Sequence, residues 1–473
     1  MTLRGRRPGD RRVRVELVKP QAYEVRAPRR IRRPPSPAVV LIAGFAVLIA
    51  LGTVVLMLPI SSAAGTWTGF VAALFTATSA TCVTGLVVLD TATYWSPFGH
   101  VVILILIQVG GFGFMTGSTL LLFLVVGRRT GLRDRLLVQA STGVPDLGSV
   151  TDLVRRVAVF TAVSEVAGAV LLMIAFLGHG RSGLDAAWFG VFHSVSAFNN
   201  AGFDLMGNFT SLTELADDAL LLGVIGVLIV VGGLGFAILG DAFGKRRWSR
   251  FALETKIVLA TSTVLLIGGA IVIGALEWEN PGTLGALPVE QRPINALFES
   301  ATLRTAGFSS LSTDQLRDAS LFVVMALMFI GGASGSTAGG IKVGTFSVLL
   351  IAIVSSVRGD PSATAFGRRI SHAVVYRALS VALLSIAFVF VVGFGIEIAT
   401  AAPFIDVLFE AVSAVGTVGA STGITPDLPD PARLLVIGAM FAGRLGPLTL
   451  VIALAARSRP VRFRPAVESV RIG

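Results

Sequence analysis

One cysteine in 473 residues, Cys82, has no partner within the chain for an intramolecular disulfide. The four histidines, His100, His179, His193 and His372, are scattered, so no cysteine and histidine cluster has metal-ligand spacing and no HExxH zinc motif occurs. Charge is scarce too, at 14% of residues against 53% hydrophobic, with a mean hydropathy of +0.80. That balance excludes a water-soluble globule of this length and puts the chain in a bilayer. Residues 1–36 lack the apolar core and small-residue cleavage site of a signal peptide. They carry Arg29, Arg30, Arg32 and Arg33 beside Pro34 and Pro35, and read as a basic cytoplasmic arm. A net charge of +11 raises the question of nucleic acid, and the placement of the positive residues answers against it.

Eight apolar runs are long enough for the ~20 residues that a bilayer core demands: about 38–60, 98–127, 157–178, 219–240, 257–277, 319–353, 378–400 and 432–456. Alternate turns between them are basic, with Arg128, Arg129, Arg133, Arg135, Arg155 and Arg156, then Lys245, Arg246, Arg247 and Arg250, then Arg358, Arg368, Arg369 and Arg377, and finally Arg457 onward. The opposite turns are acidic, with Asp90, Asp185, Asp204, Asp217, Asp218 and others. The positive-inside rule therefore puts both termini in the cytoplasm, and the expected location is the plasma (inner) membrane, as a multi-pass protein.

Between paired runs the sequence repeats itself. Phe75 opens FTATSATCVTGL, Phe192 opens FHSVSAFNNAGF, Phe298 opens FESATLRTAGF and Phe409 opens FEAVSAVGTVGAS, with a glycine nine or ten residues on, at Gly85, Gly202, Gly307 and Gly419. A second glycine cluster follows each of these by 25, 30, 24 and 24 residues, in QVGGFGF, VVGGLGF, FIGGASGSTAGG and FAGRLGPL. Four degenerate copies of one unit predict an all-α membrane protein of four tandem helix–pore loop–helix repeats, pseudo-fourfold around one ion pore, with eight transmembrane spans. The expected division is arm 1–36, repeats 37–156, 157–256, 257–377 and 378–456, and a cytoplasmic tail 457–473.

A permeating cation exchanges its water shell for protein oxygens, and a ring of backbone carbonyls supplies them where the chain can turn them to an axis. Glycine allows that turn and a close approach of strands. The bland alternative, small residues that merely let helices pack, suits any one glycine but not four in register. The expected cation-binding filter is Thr84, Gly85, Asn200, Ala201, Gly202, Thr305, Ala306, Gly307, Thr417, Val418 and Gly419.

These segments, with VTGL, NNAGF, RTAGF, TVGAS, GGASGSTAGGIKVGTF and GRLGPLT, resemble the Trk/Ktr/HKT superfamily of potassium transporters over nearly the whole chain, and look most like the Ktr membrane subunit. The resemblance implies potassium uptake through a gated filter, a homodimer with one pore per protomer, and a cytoplasmic ring of nucleotide-binding (RCK-type) subunits. It implies potassium as the transported ion and no covalent cofactor, and it leaves sodium coupling open. The four glycines match the family's filter positions, where serine in the first accompanies sodium preference among plant relatives.

The resemblance also makes the interruption of the sixth run an intramembrane gate, formed by Gly331, Gly332, Ser334, Gly335, Ser336, Thr337, Gly339 and Gly340; a static kink is the alternative. Arg444 is an ionisable residue inside the last run and is expected at the gate. Lys342 belongs to the same gate or snorkels to the cytoplasmic interface. The competing functions are a less selective potassium and sodium transporter, an intramembrane enzyme, and a carrier with inverted repeats.

Overall fold

A computed structural model describes residues 37–129 and 150–446. The basic arm, Arg133, Arg135, the tail from Arg457 and the end of the last apolar run lie outside them. Proline and polar caps punctuate the apolar runs into helices: α1 (Pro37–Met57), α2 (Phe70–Cys82), the single turn α3 (Thr91–Tyr94), α4 (Pro97–Arg129), α5 (Val150–Gly178), α6 (Gly183–Phe198) and α7 (Ala219–Lys245). Then follow α8 (Leu253–Glu277), α9 (Arg292–Thr302), α10 (Asp318–Phe329), α11 (Val343–Val357), a two-residue hairpin of β1 (Thr364–Ala365) with β2 (Arg368–Arg369), α12 (His372–Ala399), α13 (Phe404–Gly416) and α14 (Asp430–Leu445). Asp218 starts α7 by accepting from the Leu220 and Leu221 amides at 2.9 and 3.0 Å, and Ser182 starts α6 by accepting from the Asp185 amide at 3.3 Å.

Among the described residues six helices are long and apolar enough to cross a membrane: most of α1, the first part of α4, α5 from Val154, α7, α8 and α12, with mean hydropathies of 2.0 to 2.9. Val47, Leu51 and Val54 on α1 face outward with Val163, Val166 and Val170 on α5 and Phe390 and Phe394 on α12. Such stripes at helical spacing are stable against lipid and not against water. The count differs from the eight runs in the sequence. The sixth run is two helices of 12 and 15 residues, about 18 and about 22 Å long, and neither alone crosses a core of ~30 Å. The eighth is described only as far as its helix α14 and Gly446.

Four short helices, α2, α6, α9 and α13, each pack against the long helix preceding them, respectively α1, α5, α8 and α12. Their leading aromatics hold them inside: Phe75, Phe192 and Phe409 are 0% exposed and Phe298 3%. Helix α14 also packs against α2, which brings the end of the described chain back to its beginning.

Candidate functional site

The short helices end where the backbone turns left-handed. Val83, Asn200, Thr305 and Thr417 have φ of 56°, 57°, 87° and 49°, and two residues later Gly85, Gly202, Gly307 and Gly419 have φ of 97°, 71°, 73° and 96°. Side-chain residues in that region are strained and persist where the surroundings over-determine them. In a regular strand successive peptide groups alternate in direction; interposing left-handed residues at every second position breaks that alternation and lets neighbouring carbonyls share a side.

The four glycines come together. A Cβ placed on Gly85 would lie 2.5 Å from the Ala201 carbonyl oxygen, one on Gly202 2.6 Å from that of Ala306, one on Gly307 2.3 Å from that of Val418, and one on Gly419 2.1 Å from that of Thr84. Each glycine thus abuts the residue before the glycine of the next segment, and the fourth returns to the first. A side chain at any of the four meets backbone that cannot move aside cheaply. In this register Thr84 corresponds to Ala201, Ala306 and Val418, and Val83, absent from the sequence reading, corresponds to Asn200, Thr305 and Thr417.

Hydroxyl groups brace the ring from behind. Ser79 and Ser413, each four residues after the leading phenylalanine, accept the Gly85 and Gly419 amides at 3.1 Å. Thr302, at the same place in the third segment, donates to the Phe308 carbonyl at 2.8 Å. The sequence carries a Ser or Thr four residues past each phenylalanine, Ser79, Ser196, Thr302 and Ser413, although the buried Ser196 hydroxyl makes no such bond. The second glycine cluster also has a contact role. A Cβ on Gly110, Gly232 or Gly443 would stand 2.0, 1.9 or 2.2 Å from the carbonyl of Thr81, Phe198 or Val415, near the ends of α2, α6 and α13.

The interrupted run from Gly331 to Gly340 is a loop docked beside this ring. The Gly331 amide donates to the Ile341 carbonyl at 2.9 Å, the Ala333 amide to Gly233 at 2.9 Å and the Thr337 amide to Gly232 at 3.3 Å. Thr337 Oγ1 donates to Asn200 Oδ1 at 2.9 Å, which ties the loop to a ring residue. Gly339 lies against Thr417, another ring residue. Within α7, Gly235 leaves helical geometry at φ 72° and lies against Ser336, and there the helix kinks. Ser334 and Gly335 stand at the loop's outer bend, Ser334 exposed.

Two cations converge on the loop. Arg444, 1% exposed, donates through Nη1 to the Thr337 carbonyl and lies 4.5 Å from the centre of the Phe114 ring. Lys342 Nζ donates to the Ala338 carbonyl at 2.5 Å and lies 5.1 Å from the same ring. Lys342 therefore turns inward onto loop carbonyls, where snorkelling would have carried it to the interface. Phe114, which the sequence did not single out, joins them by cation–π attraction. A third cation, Arg304 at the end of α9, donates to the Ser262 carbonyl and hydroxyl at 3.2 Å, beside a cavity of about 80 Å³ that Asn200 and Gly332 also line. None of the three is among the ion pairs of the described residues, and no group of three or more His, Cys, Asp or Glu side chains is placed to hold a metal there. On the loop beyond Gly202, burial pushes the Asp204 carboxyl up to about 6, with the Asp90 charge adding to it and the Met206 amide opposing it.

The chemistry on offer is a closed set of backbone carbonyls flanked by hydroxyls, the donor type that replaces the water of an alkali cation. Residues 19–460 match the TrkH family, described as cation transport protein. The chain is 40% identical over 422 residues to the Ktr system potassium uptake protein B of Bacillus subtilis, covering 89% of this chain and 93% of that one. It is 37% identical over 451 residues to the potassium/sodium uptake protein NtpJ of Enterococcus hirae, covering 94% and 99%. The crystal structure of the potassium transporter TrkH from Vibrio parahaemolyticus superposes with a TM-score of 0.70 at 17% identity, over 90% of this chain and 86% of that one, which establishes a shared fold. The chain belongs to the TrkH family of cation transport proteins, as a Trk/Ktr-type membrane subunit that is an ion transporter and not an enzyme.

Proposed function

We propose that this protein takes up potassium across the plasma membrane through a selectivity filter made by the four glycine segments. The observation that carries the reading is the closure of those segments on one another, Gly85 to Ala201, Gly202 to Ala306, Gly307 to Val418 and Gly419 to Thr84. Thr84, Ala201, Ala306 and Val418 supply the carbonyls that substitute for hydration water, and the glycines allow the approach. Four equivalent pieces arranged in this way make the chain one pore of four helix–pore loop–helix repeats with eight spans, the sixth broken, and with both termini cytoplasmic. The printed names of the relatives, potassium uptake and potassium/sodium uptake, support an alkali cation as the substrate.

The loop from Gly331 to Gly340, with Lys342 and Arg444, is the gate in this reading. It crosses between Asn200 and Thr417, two residues of the ring, and the fixed charge of Arg444 on its carbonyl opposes a passing cation. The family resemblance extends the assignment to a homodimer governed by a cytoplasmic nucleotide-binding ring of RCK type. Rubidium tracer uptake into cells that lack their own potassium uptake tests the reading. Saturable uptake that potassium inhibits is the expected result, and uptake no greater than in cells without the chain contradicts it.

A further inference from the structure

The residue that follows each leading phenylalanine is buried in all four repeats: Thr76, His193 and Glu410 are 0% exposed and Glu299 4%. In three of them its side chain reaches the strand that leaves the glycine ring. Glu299 Oε1 accepts the Ser310 amide at 2.7 Å, the Leu311 amide at 3.2 Å and the hydroxyls of Ser309 and Ser310 at 3.2 Å, within four residues of Gly307. Glu410 Oε1 accepts the hydroxyl of Thr425, six residues past Gly419, and that hydroxyl lies 2.9 Å from Ser421 Oγ. His193 donates from Nδ1 to the Phe189 carbonyl at 2.8 Å, which leaves Nε2 to accept the Leu205 amide at 3.3 Å, three residues past Gly202. Repeat 1 has no such tie, because the Thr76 hydroxyl donates to the Ala72 carbonyl of its own helix at 3.0 Å.

We propose that His193, Glu299 and Glu410 are positioning residues that fasten the outgoing strands of repeats 2, 3 and 4 to their short helices, and so set the width of the carbonyl ring and its discrimination between ions. The proposal rests on the filter reading. The shared feature is an acceptor at one place in the repeat, not a charge, since His193, which accepts through a ring nitrogen, makes the same kind of tie as two carboxylates. Neither carboxylate is in an ion pair of the described residues, and in each it is Oε1 that accepts from the outgoing segment. In a water-poor interior such bonds are stiff, and an amide or hydroxyl left without its acceptor is costly. A strand released on its outer side lets the adjoining ring carbonyl relax, and a ring that relaxes tolerates a smaller ion.

The test uses the full chain in cells without their own potassium uptake, and reads the rubidium to sodium uptake ratio and the half-saturation for rubidium, each normalised to membrane abundance. Glu299→Ala should lower the ratio and raise the half-saturation by on the order of tenfold, the scale set by unpairing buried donors. Glu299→Gln keeps an oxygen where all four donors converge and should stay within about twofold of the parent, as should Thr76→Val, which breaks no tie to an outgoing strand. A Glu299→Ala protein of normal abundance with an unchanged ratio overturns the proposal. So does a Glu299→Gln protein as impaired as the alanine variant, since charge would then be the operative property. Should the alanine variant fail to reach the membrane, the equivalent tie of Glu410 is cut from the side of its partner, Thr425. Thr425→Val should lower the ratio and Thr425→Ser should not, and equal ratios in those two overturn the proposal. If the unsubstituted chain takes up no rubidium, the transport reading itself falls, and this proposal with it.

Discussion

Arg444 places a full positive charge in the protein interior with a loop carbonyl and an aromatic ring as its described partners. At 4 Å and an effective dielectric of about 20, a unit charge repels a passing monovalent cation by ~4 kcal/mol, enough to slow permeation strongly. Arg444→Ala should therefore raise rubidium flux in the absence of any activator, at unchanged membrane abundance, while Arg444→Lys should keep most of the block. Loss of folded protein in both variants would instead assign Arg444 to holding the loop, since lysine lacks the guanidinium fork. Flux per folded molecule separates the two. The depth of Arg444 was legible from its apolar neighbours. Its partners were not: Thr337 is 107 residues away and Phe114 is on another helix, and no local pattern encodes such a meeting. Val83 carries no hydroxyl and nothing in the sequence singled it out, yet its left-handed backbone is what matches Asn200, Thr305 and Thr417.

At the level of elements, hydropathy found the long helices, the repeated phenylalanine–glycine pattern found the short ones, and neither could say which helix crosses the membrane whole. The run 319–353 looks continuous to a sliding average, yet its glycines break it into α10, a loop and α11. The loop holds its place through other elements, by the Gly232 and Gly233 carbonyls of α7 and by Asn200, so its conformation is a tertiary property. The helix α5 starts earlier than the apolar run, at Val150, because Arg155 and Arg156 are good helix formers that hydropathy discounts. If the loop is the constriction, deleting Gly332 to Gly339 should raise basal rubidium flux severalfold and remove its response to the proposed cytoplasmic partner, with the bridge between Ile330 and Ile341 marking where the ends rejoin. A deletion that folds and keeps both basal flux and regulation would leave the loop as packing material.

At the scale of the whole molecule, the sequence shows four copies but not their order around a centre. The order comes from contacts between segments more than 100 residues apart, and the last of them, Gly419 against Thr84, joins the fourth segment to the first. Repeat 3 reaches its glycine one residue sooner than the others, nine past Phe298, and still takes its place, since its α9 ends in a different turn with the Ala306 and Gly307 amides both donating to the Thr302 carbonyl. Equivalence of position in the ring is thus compatible with inequality of local sequence. It carries a strict consequence, because a serine at any of the four glycines puts a Cβ within 2.6 Å of a neighbouring carbonyl oxygen. The decisive measurement is the rubidium to sodium uptake ratio of the four single variants Gly85→Ser, Gly202→Ser, Gly307→Ser and Gly419→Ser, each normalised to membrane abundance. The account predicts a lower ratio in all four, whereas a well-expressed variant with the parental ratio would contradict a filter built from all four glycines.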